Sequence, residues 1–350
     1  MTGGFERPLT MGEIARLAGV SSTTVSHVIS GKRPVNAATA GRVRAIIEAA
    51  GYAPASAART LQTGRSLLIG LVVPDITHSF FARIAKGVEE TAGDYDYGVI
   101  FCSSGQSDLA RGRRYLGLLR DHTIDGLVYV GSDTAIDRDE LRGLAARFPL
   151  VLADEELPEI PSVATVTSDN VAGGRLAARH LHELGHRKVV VLAGPVPLHS
   201  TTERVRGFTE YFPNALVLHG SFDEASAARL IDSLIGNGVS FTGVLAGNDD
   251  IAVGAVRRLE ERGVRVPVDV SVVGFDDVEL AAGMRPALTT VRQAAQEMGR
   301  RAAQIVLKAL VDDAPIVPAS TVLPVELVIR ESTAAPGAGA SQQMEGNQPT

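Results

Sequence analysis

Cysteine is almost missing from this chain. A single residue, Cys102, among 350 excludes an internal disulfide, and without a Cys/His cluster no zinc-finger spacing exists. Cys102 lies in the apolar run 99–102, which predicts a buried structural thiol rather than a nucleophile. Long hydrophobic runs are missing too. Residues 1–8 hold no hydrophobic signal core, and no segment reaches the ~18 continuous apolar residues of a membrane span, so a cytoplasmic protein with no membrane partner is expected. No G-x-x-x-x-G-K-[ST] or G-x-S-x-G motif occurs, and the loop 74–78 lacks the glycines that let a backbone cradle pyrophosphate. His180 and His182, two positions apart, would diverge on a helix rather than share a metal. These absences argue against an enzyme, a cofactor and a bound metal.

Charge of one sign is unevenly distributed. The net charge is −6, but residues 1–65 carry +5 and the remainder −11, a basic head on an acidic body. The length suits two or three domains with a sizeable core.

The head reads as three short helices. Thr10 and Glu13 fit a capping box, after which Ile14, Leu17 and Ala18 fall on one face of a helix that Gly19 can end. Ser21 can cap a second helix with an inward stripe of Val25, Val28 and Ile29 and a stop at Gly31. A third runs from about Ala37, capped by Asn36, through Val43, Ile46 and Ile47 to Gly51. The tight glycine turn between the first two predicts a helix-turn-helix.

From Ser66 the pattern changes to apolar strands at 67–73, 98–102, 126–130, 150–153, 188–192, 243–246 and 270–274, alternating with amphipathic helices. Such alternation implies parallel, doubly wound α/β sheets, and so many units suggest two lobes. The segment after Arg330, rich in Ala, Gly, Pro, Ser and Gln, reads as a disordered tail without leucine heptads.

In the second helix, Thr23, Ser26, His27 and Ser30 turn away from the apolar stripe, with Ser22 at the exposed edge. A helix that reads base edges needs this apolar back and hydrogen-bonding front. Lys32, Arg33, Arg42 and Arg44 can neutralise phosphates. For these residues alone, a solvated polar face explains the pattern nearly as well. The segment 52–61 weighs the other way. It is helix-prone over about two turns, too short to be stable alone, and it carries Leu61, which suits an apolar wedge inserted from the minor groove.

The runs 9–15, 20–29 and 58–61 resemble the head and hinge of the LacI/GalR family of bacterial transcription regulators. The core resembles it at 69–74, 184–186, 248–249, 269–277 and 286–291, so that the likeness spans roughly residues 9–331. It implies a helix-turn-helix head at 1–54, a hinge helix and linker at 55–65, a two-lobed periplasmic-binding-protein-like core with parallel doubly wound sheets at 66–331, and a disordered tail at 332–350. It also implies a repressor that binds a palindromic operator in double-stranded DNA as a homodimer, under control of a small-molecule effector. The DNA-facing set is Thr10, Ser21, Ser22, Thr23, Thr24, Ser26, His27, Lys32, Arg33, Ala58 and Leu61. Ser22, Thr23 and His27 would read bases, although His27 stands where an arginine is common, and Ala55 replaces a usual asparagine or serine at the hinge.

The same resemblance places the effector against Phe80, Phe81, Asp154, Ser200, Arg204, Phe222, Asn248 and Asp276. Their chemistry suits a polyol, with polar groups for hydroxyls and ring faces for C–H surface. Singly, each has a plainer reading: Asp276 caps a turn, Arg204 is a surface ion-pair partner, and the phenylalanines are core. Leu198 stands where a purine-responsive member has an arginine, which points to a sugar or sugar derivative instead. A solute-binding protein of the same core would carry a secretion signal in place of the basic head.

Overall fold

The computed structural model describes residues 9–30, 33–50, 65–105, 109–131, 138–157, 160–196 and 198–337. The chain divides into two compact units, 1–66 and 67–350.

In the first unit, α1 (Met11–Ala18) starts at the expected capping box. The Glu13 amide donates to Thr10 Oγ1 at 3.3 Å and the Thr10 amide to Glu13 Oε2 at 2.6 Å. Gly19 closes the helix in the left-handed region, φ +65°, which glycine adopts without strain. Ser21 Oγ accepts from the Thr24 amide at 3.1 Å at the start of α2 (Ser22–Ser30), and Asn36 caps α3 (Ala37–Ala49) through the Ala38 amide. Ile14, Ala15, Ala18, Val25, Val28, Ala40 and Val43 form the core, with Ile29, Ile46 and Ile47 packed at its edge. Leu17 departs from expectation. It is 51 % exposed, because the stripe that meets α2 and α3 runs through Ile14, Ala15 and Ala18 and leaves Leu17 beyond its edge. The proposed stops Gly31 and Gly51 and the hinge lie outside the described residues; α3 ends at Ala49 with Ala50 as its cap.

The second unit holds two six-stranded sheets. The first is built from β1 (Leu68–Val73), β2 (Gly98–Ser103), β3 (Gly126–Val130), β4 (Leu150–Ala153), β5 (Ala164–Ser168) and β11 (Ser320–Leu323), in the order β11-β5-β4-β3-β1-β2 and wholly parallel. The second is built from β6 (Val189–Ala193), β7 (Leu216–His219), β8 (Gly243–Ala246), β9 (Ser271–Asp276), β10 (Thr289–Gln293) and β12 (Val325–Val328), in the order β12-β10-β9-β8-β6-β7. Here the parallel expectation needs one correction: β12 runs antiparallel to β10. It follows β11 of the other sheet directly after Pro324, and so short a link cannot reverse the chain for a parallel pairing.

The chain passes between lobes three times, after β5, after β10 and between β11 and β12. The helix α12 (Ala295–Asp312), late in sequence, therefore packs in the first lobe against α4 (Ser79–Gly93). That contact is close enough that a Cβ on Gly87 would lie 2.0 Å from the Gln296 carbonyl, and one on Gly299 2.0 Å from the Ile84 carbonyl. In the second lobe, α7 (Asn170–Glu183) meets α8 (His199–Thr209) through Gly174 and Gly207 in the same manner.

Residues 332–337 correct the expected start of the tail. Ser332 is fully buried, its Oγ donating to the Val272 carbonyl at 2.6 Å and accepting from the Thr289 amide at 2.8 Å. The Ala334 carbonyl reaches buried His186 Nε2 at 2.9 Å, while His186 Nδ1 lies 2.9 Å from Thr242 Oγ1. A composition of small residues conceals this, since what anchors the segment is backbone and the hydroxyls of Ser332 and Thr333. Ser332→Ala is expected to cost about 1–3 kcal/mol by leaving a buried N–H and C=O unpaired, read as a lower urea midpoint at unchanged m-value. Residues 338–350 lie outside the described set. Among the described residues no helix is long and apolar enough to cross a membrane.

Candidate functional site

In both lobes the carboxyl ends of the strands open on one cavity of about 450 Å³, where open parallel sheets characteristically place ligands. All eight residues proposed for an effector line it: Phe80, Phe81 and Asp154 from the first lobe, and Ser200, Arg204, Phe222, Asn248 and Asp276 from the second.

The plainer readings separate here. Arg204 is 4 % exposed and no surface group. Its Nε donates to Asn170 Oδ1 at 2.8 Å, its Nη1 donates to the Gly247 carbonyl at 2.7 Å and lies 3.8 Å from Asp276 Oδ1, and its guanidinium sits 4.0 Å from the Phe275 ring centroid. Asp276 terminates β9 at φ +115° and accepts from Gln293 Nε2 at 2.6 Å. Asn248 caps α10 (Asp249–Glu261), accepting from the Ile251 amide at 2.9 Å, so it has a structural task as well. Phe80 belongs to the first-lobe core and meets the cavity where that core borders it, whereas Phe81 and Phe222 are half-buried. Phe222 lies over Gly194, where a Cβ would come within 2.2 Å of the ring.

Sequence reasoning missed five charged groups, Glu155, His78, Asp250, Arg83 and Asp249. Glu155 reaches across the cleft to α8, whose own N-cap, Leu198, supplies no side-chain bond. Ser200 N–H donates to Glu155 Oε2 at 3.1 Å and Ser200 Oγ–H to Glu155 Oε1, so a carboxyl group on one lobe caps a helix on the other. Ser200, expected to face an effector, is thereby engaged. His78 Nε2 lies 3.1 Å from Asp250 Oδ2, again between lobes, and Arg83 donates to the Asp277 carbonyl. Asp249, fully buried, accepts from the Val278 amide at 2.8 Å and Thr290 Oγ1 at 2.5 Å. The signal was present: paired acids, 154–155 and 249–250, closely follow apolar strands.

Burial sets the protonation of this site. It raises Asp154 to about 6 against the pull of Arg204, and raises Glu155 to about 8, helped by the charge of Asp154. Burial also lifts Asp276, and Asp249 well above the carboxylate range. Burial works to lower His78, but the hydrogen bond to Asp250 and the charges of Asp276, Asp250 and Asp154 outweigh it and leave it raised.

A pH dependence follows. Glu155 ordinarily titrates near 4.5 and in the folded core at about 8, so between those values the folded protein holds a proton that the unfolded chain has released. The associated stability is full below 4.5 and declines as pH rises toward about 8, by up to ~1.4 kcal/mol per unit. His78, raised, acts in the same direction; His180 and His186, lowered by burial, weaken the fold only as pH falls below 6.5. Between about pH 6.5 and about 8 the core is expected to lose stability with rising pH, and Glu155→Gln to flatten that slope. An equal slope in the variant, by chemical denaturation, would remove Glu155 as its source.

In the head, Ser22 and Thr23 are exposed, and Ser26 and His27 are half-buried at the front of α2. The hydroxyls of Thr10 and Ser21 serve as helix caps, and Thr24 Oγ1 lies 2.9 Å from Ser21 Oγ. Arg33, Arg42 and Arg44 are exposed, while Lys32, Ala58 and Leu61 lie outside the described residues.

The lacI family of bacterial regulatory proteins matches residues 10–55, and the periplasmic binding protein-like domain matches 178–333. The HTH-type transcriptional repressor PurR of Vibrio atlanticus is 34 % identical over 310 residues, covering 87 % of this chain and 92 % of its own length. This chain belongs to the LacI family. Among solved structures, a Lac repressor dimer bound to operator and the anti-inducer ONPF matches at TM-score 0.80 and 28 % identity, over 94 % of this chain and all of that one. The transcriptional regulator CelR in complex with cellobiose matches at 0.69 and 30 %, over 93 % and 99 %, and an Enterococcus faecalis LacI-family regulator with bound ribose at 0.70 and 30 %, over 77 % and 100 %. The relatives are transcriptional repressors and not enzymes, and the fold of this LacI-family regulator is theirs.

Proposed function

We propose that this regulator is a cytoplasmic dimeric repressor whose head, 1–54, and hinge, 55–65, hold a two-fold symmetric operator, while a sugar-like effector in the core, 66–331, sets the affinity. Ser22, Thr23, Ser26 and His27 read base edges; Lys32, Arg33, Arg42 and Arg44 contact phosphates; Ala58 and Leu61 enter the minor groove. The observation that carries the effector reading is the cavity lined by groups from both lobes, because a ligand shifts an equilibrium only by touching what differs between its states. Buried Leu198 contributes apolar surface and no charge to that cavity, which favours a sugar over a purine even though PurR is among the similar repressors.

Operator binding by Leu61→Ala is the decisive measurement for the hinge. Anisotropy with palindromic DNA should show affinity falling at least about tenfold, with thermal stability unchanged, whereas a core leucine would cost ~2–5 kcal/mol on truncation. Early melting with normal operator binding by the folded fraction would return Leu61 to the core. For the cleft, Asp276→Asn should keep operator binding in ligand-free buffer and lose the response to an effector found by thermal shift.

A further inference from the structure

Six carboxyl groups surround the cleft, those of Asp75, Asp154, Glu155, Asp223, Asp250 and Asp276, against one arginine and one histidine among the described lining residues. Five of the six already have polar partners. Asp75 accepts from Thr77, Glu155 from Ser200, Asp223 from the Ser226 amide, Asp250 faces His78, and Asp276 accepts from Gln293. Both cations are matched as well: His78 to Asp250, and Arg204 to Asn170, Gly247 and the flank of Asp276. Asp154 differs. It lines the cavity, its Oδ1 is buried with no hydrogen-bond partner, and its backbone is held at φ +69°. A buried acceptor left unmatched in this way costs stability unless a ligand supplies its donor.

We propose that the cleft selects an effector bearing an amino group, an amino sugar or similar aminated polyol, with its ammonium seated on Asp154, and that it rejects phosphorylated and carboxylated sugars. This deepens the effector reading above and rests on it. An ammonium brings three N–H donors and a positive charge to a site whose fixed charge is net negative, and the low-dielectric walls strengthen that attraction. A phosphate or carboxylate would face the same field with no lysine in the described lining and with two cations already paired. The half-buried rings of Phe81 and Phe222 offer faces to the C–H surface and to the cation.

The test is a calorimetric titration of the full-length protein at neutral pH with glucosamine, galactosamine and mannosamine, each beside its parent hexose, its 6-phosphate and its uronic acid. In at least one configuration the amine should bind at least about tenfold more tightly than its parent, with no binding of the phosphate or uronate. Asp154→Asn keeps the shape and tolerates the left-handed backbone, and it should reduce the amine to the affinity of the parent sugar. A phosphate or uronate that binds as well as the parent, an amine no better than its parent, or silence across the panel overturns the amine assignment, as does full amine preference in Asp154→Asn. A neutral or anionic sugar that binds and alters operator affinity overturns this inference while leaving the effector reading intact; an amine that binds without altering operator affinity does the reverse.

Discussion

Gly299→Val is expected to unfold the first lobe or to destabilise it by at least about 3 kcal/mol, because it overfills a contact between two backbones. A single Cβ at this position would lie 2.0 Å from the Ile84 carbonyl oxygen and 2.9 Å from its carbon. The neighbour is main chain of α4, so no rotamer change relieves the overlap. Separating α4 from α12 would open the core formed by Ile84, Val88, Met298, Ala302, Ala303 and Val306, all closely packed there. At Gly93, on the same helix α4 as Gly87 but with nothing within 4 Å of an added methyl, Gly93→Ala should be neutral or slightly stabilising. Urea unfolding of both variants checks this: a Gly299→Val midpoint close to that of the wild type would show that the helices can part at little cost.

Arg204→Ala should lower stability by about 3–5 kcal/mol as well as abolish any effector response, since it removes one partner from a buried charged network. Asn170 Oδ1 and the Gly247 carbonyl lose their donors, and Asp276 and Asp154 lose the favourable charge of the guanidinium. The penalty should have a pH signature. Burial has already raised Asp154 to about 6 and lifts Asp276 as well, so acid allows Asp154 to become neutral and removes part of the cost, whereas at about pH 8 Asp154 stays charged. The stability difference between wild type and variant should thus shrink as pH falls from about 8 to about 5. A difference that is constant across that range would mean that the lost hydrogen bonds, and not the uncompensated carboxylates, carry the effect.

Both outcomes depend on contacts between residues far apart in the chain, and this separates what the sequence alone determined from what tertiary structure decided. Periodicity and caps were enough for the head. Thr10, Gly19, Ser21 and Asn36 act within one turn of themselves, so the local chain specifies them. Apolar runs likewise sufficed for β1, β3, β4, β6, β8 and β9, whose strands are buried on both faces, and for β2 at the sheet edge. Motif likeness picked out eight residues that line the cleft, because most of them sit near the end of a strand or in the first turns of a helix that the pattern already marks. The edge strands β11 and β12 and the polar strands β5 and β10 carried no such run, β7 only the short, half-exposed run 216–218 at a sheet edge, and a sheet neighbour from elsewhere in the chain is what makes them strands. The three passages between lobes bring α12 to α4, Ser332 to the Val272 carbonyl of β9, Glu155 to the start of α8 and His78 to Asp250. Each joins groups whose sequence separation leaves no local periodicity to read, and burial beside them, not residue type, is what raises the pKa of Asp154 and Glu155 and leaves one oxygen of Asp154 without a partner.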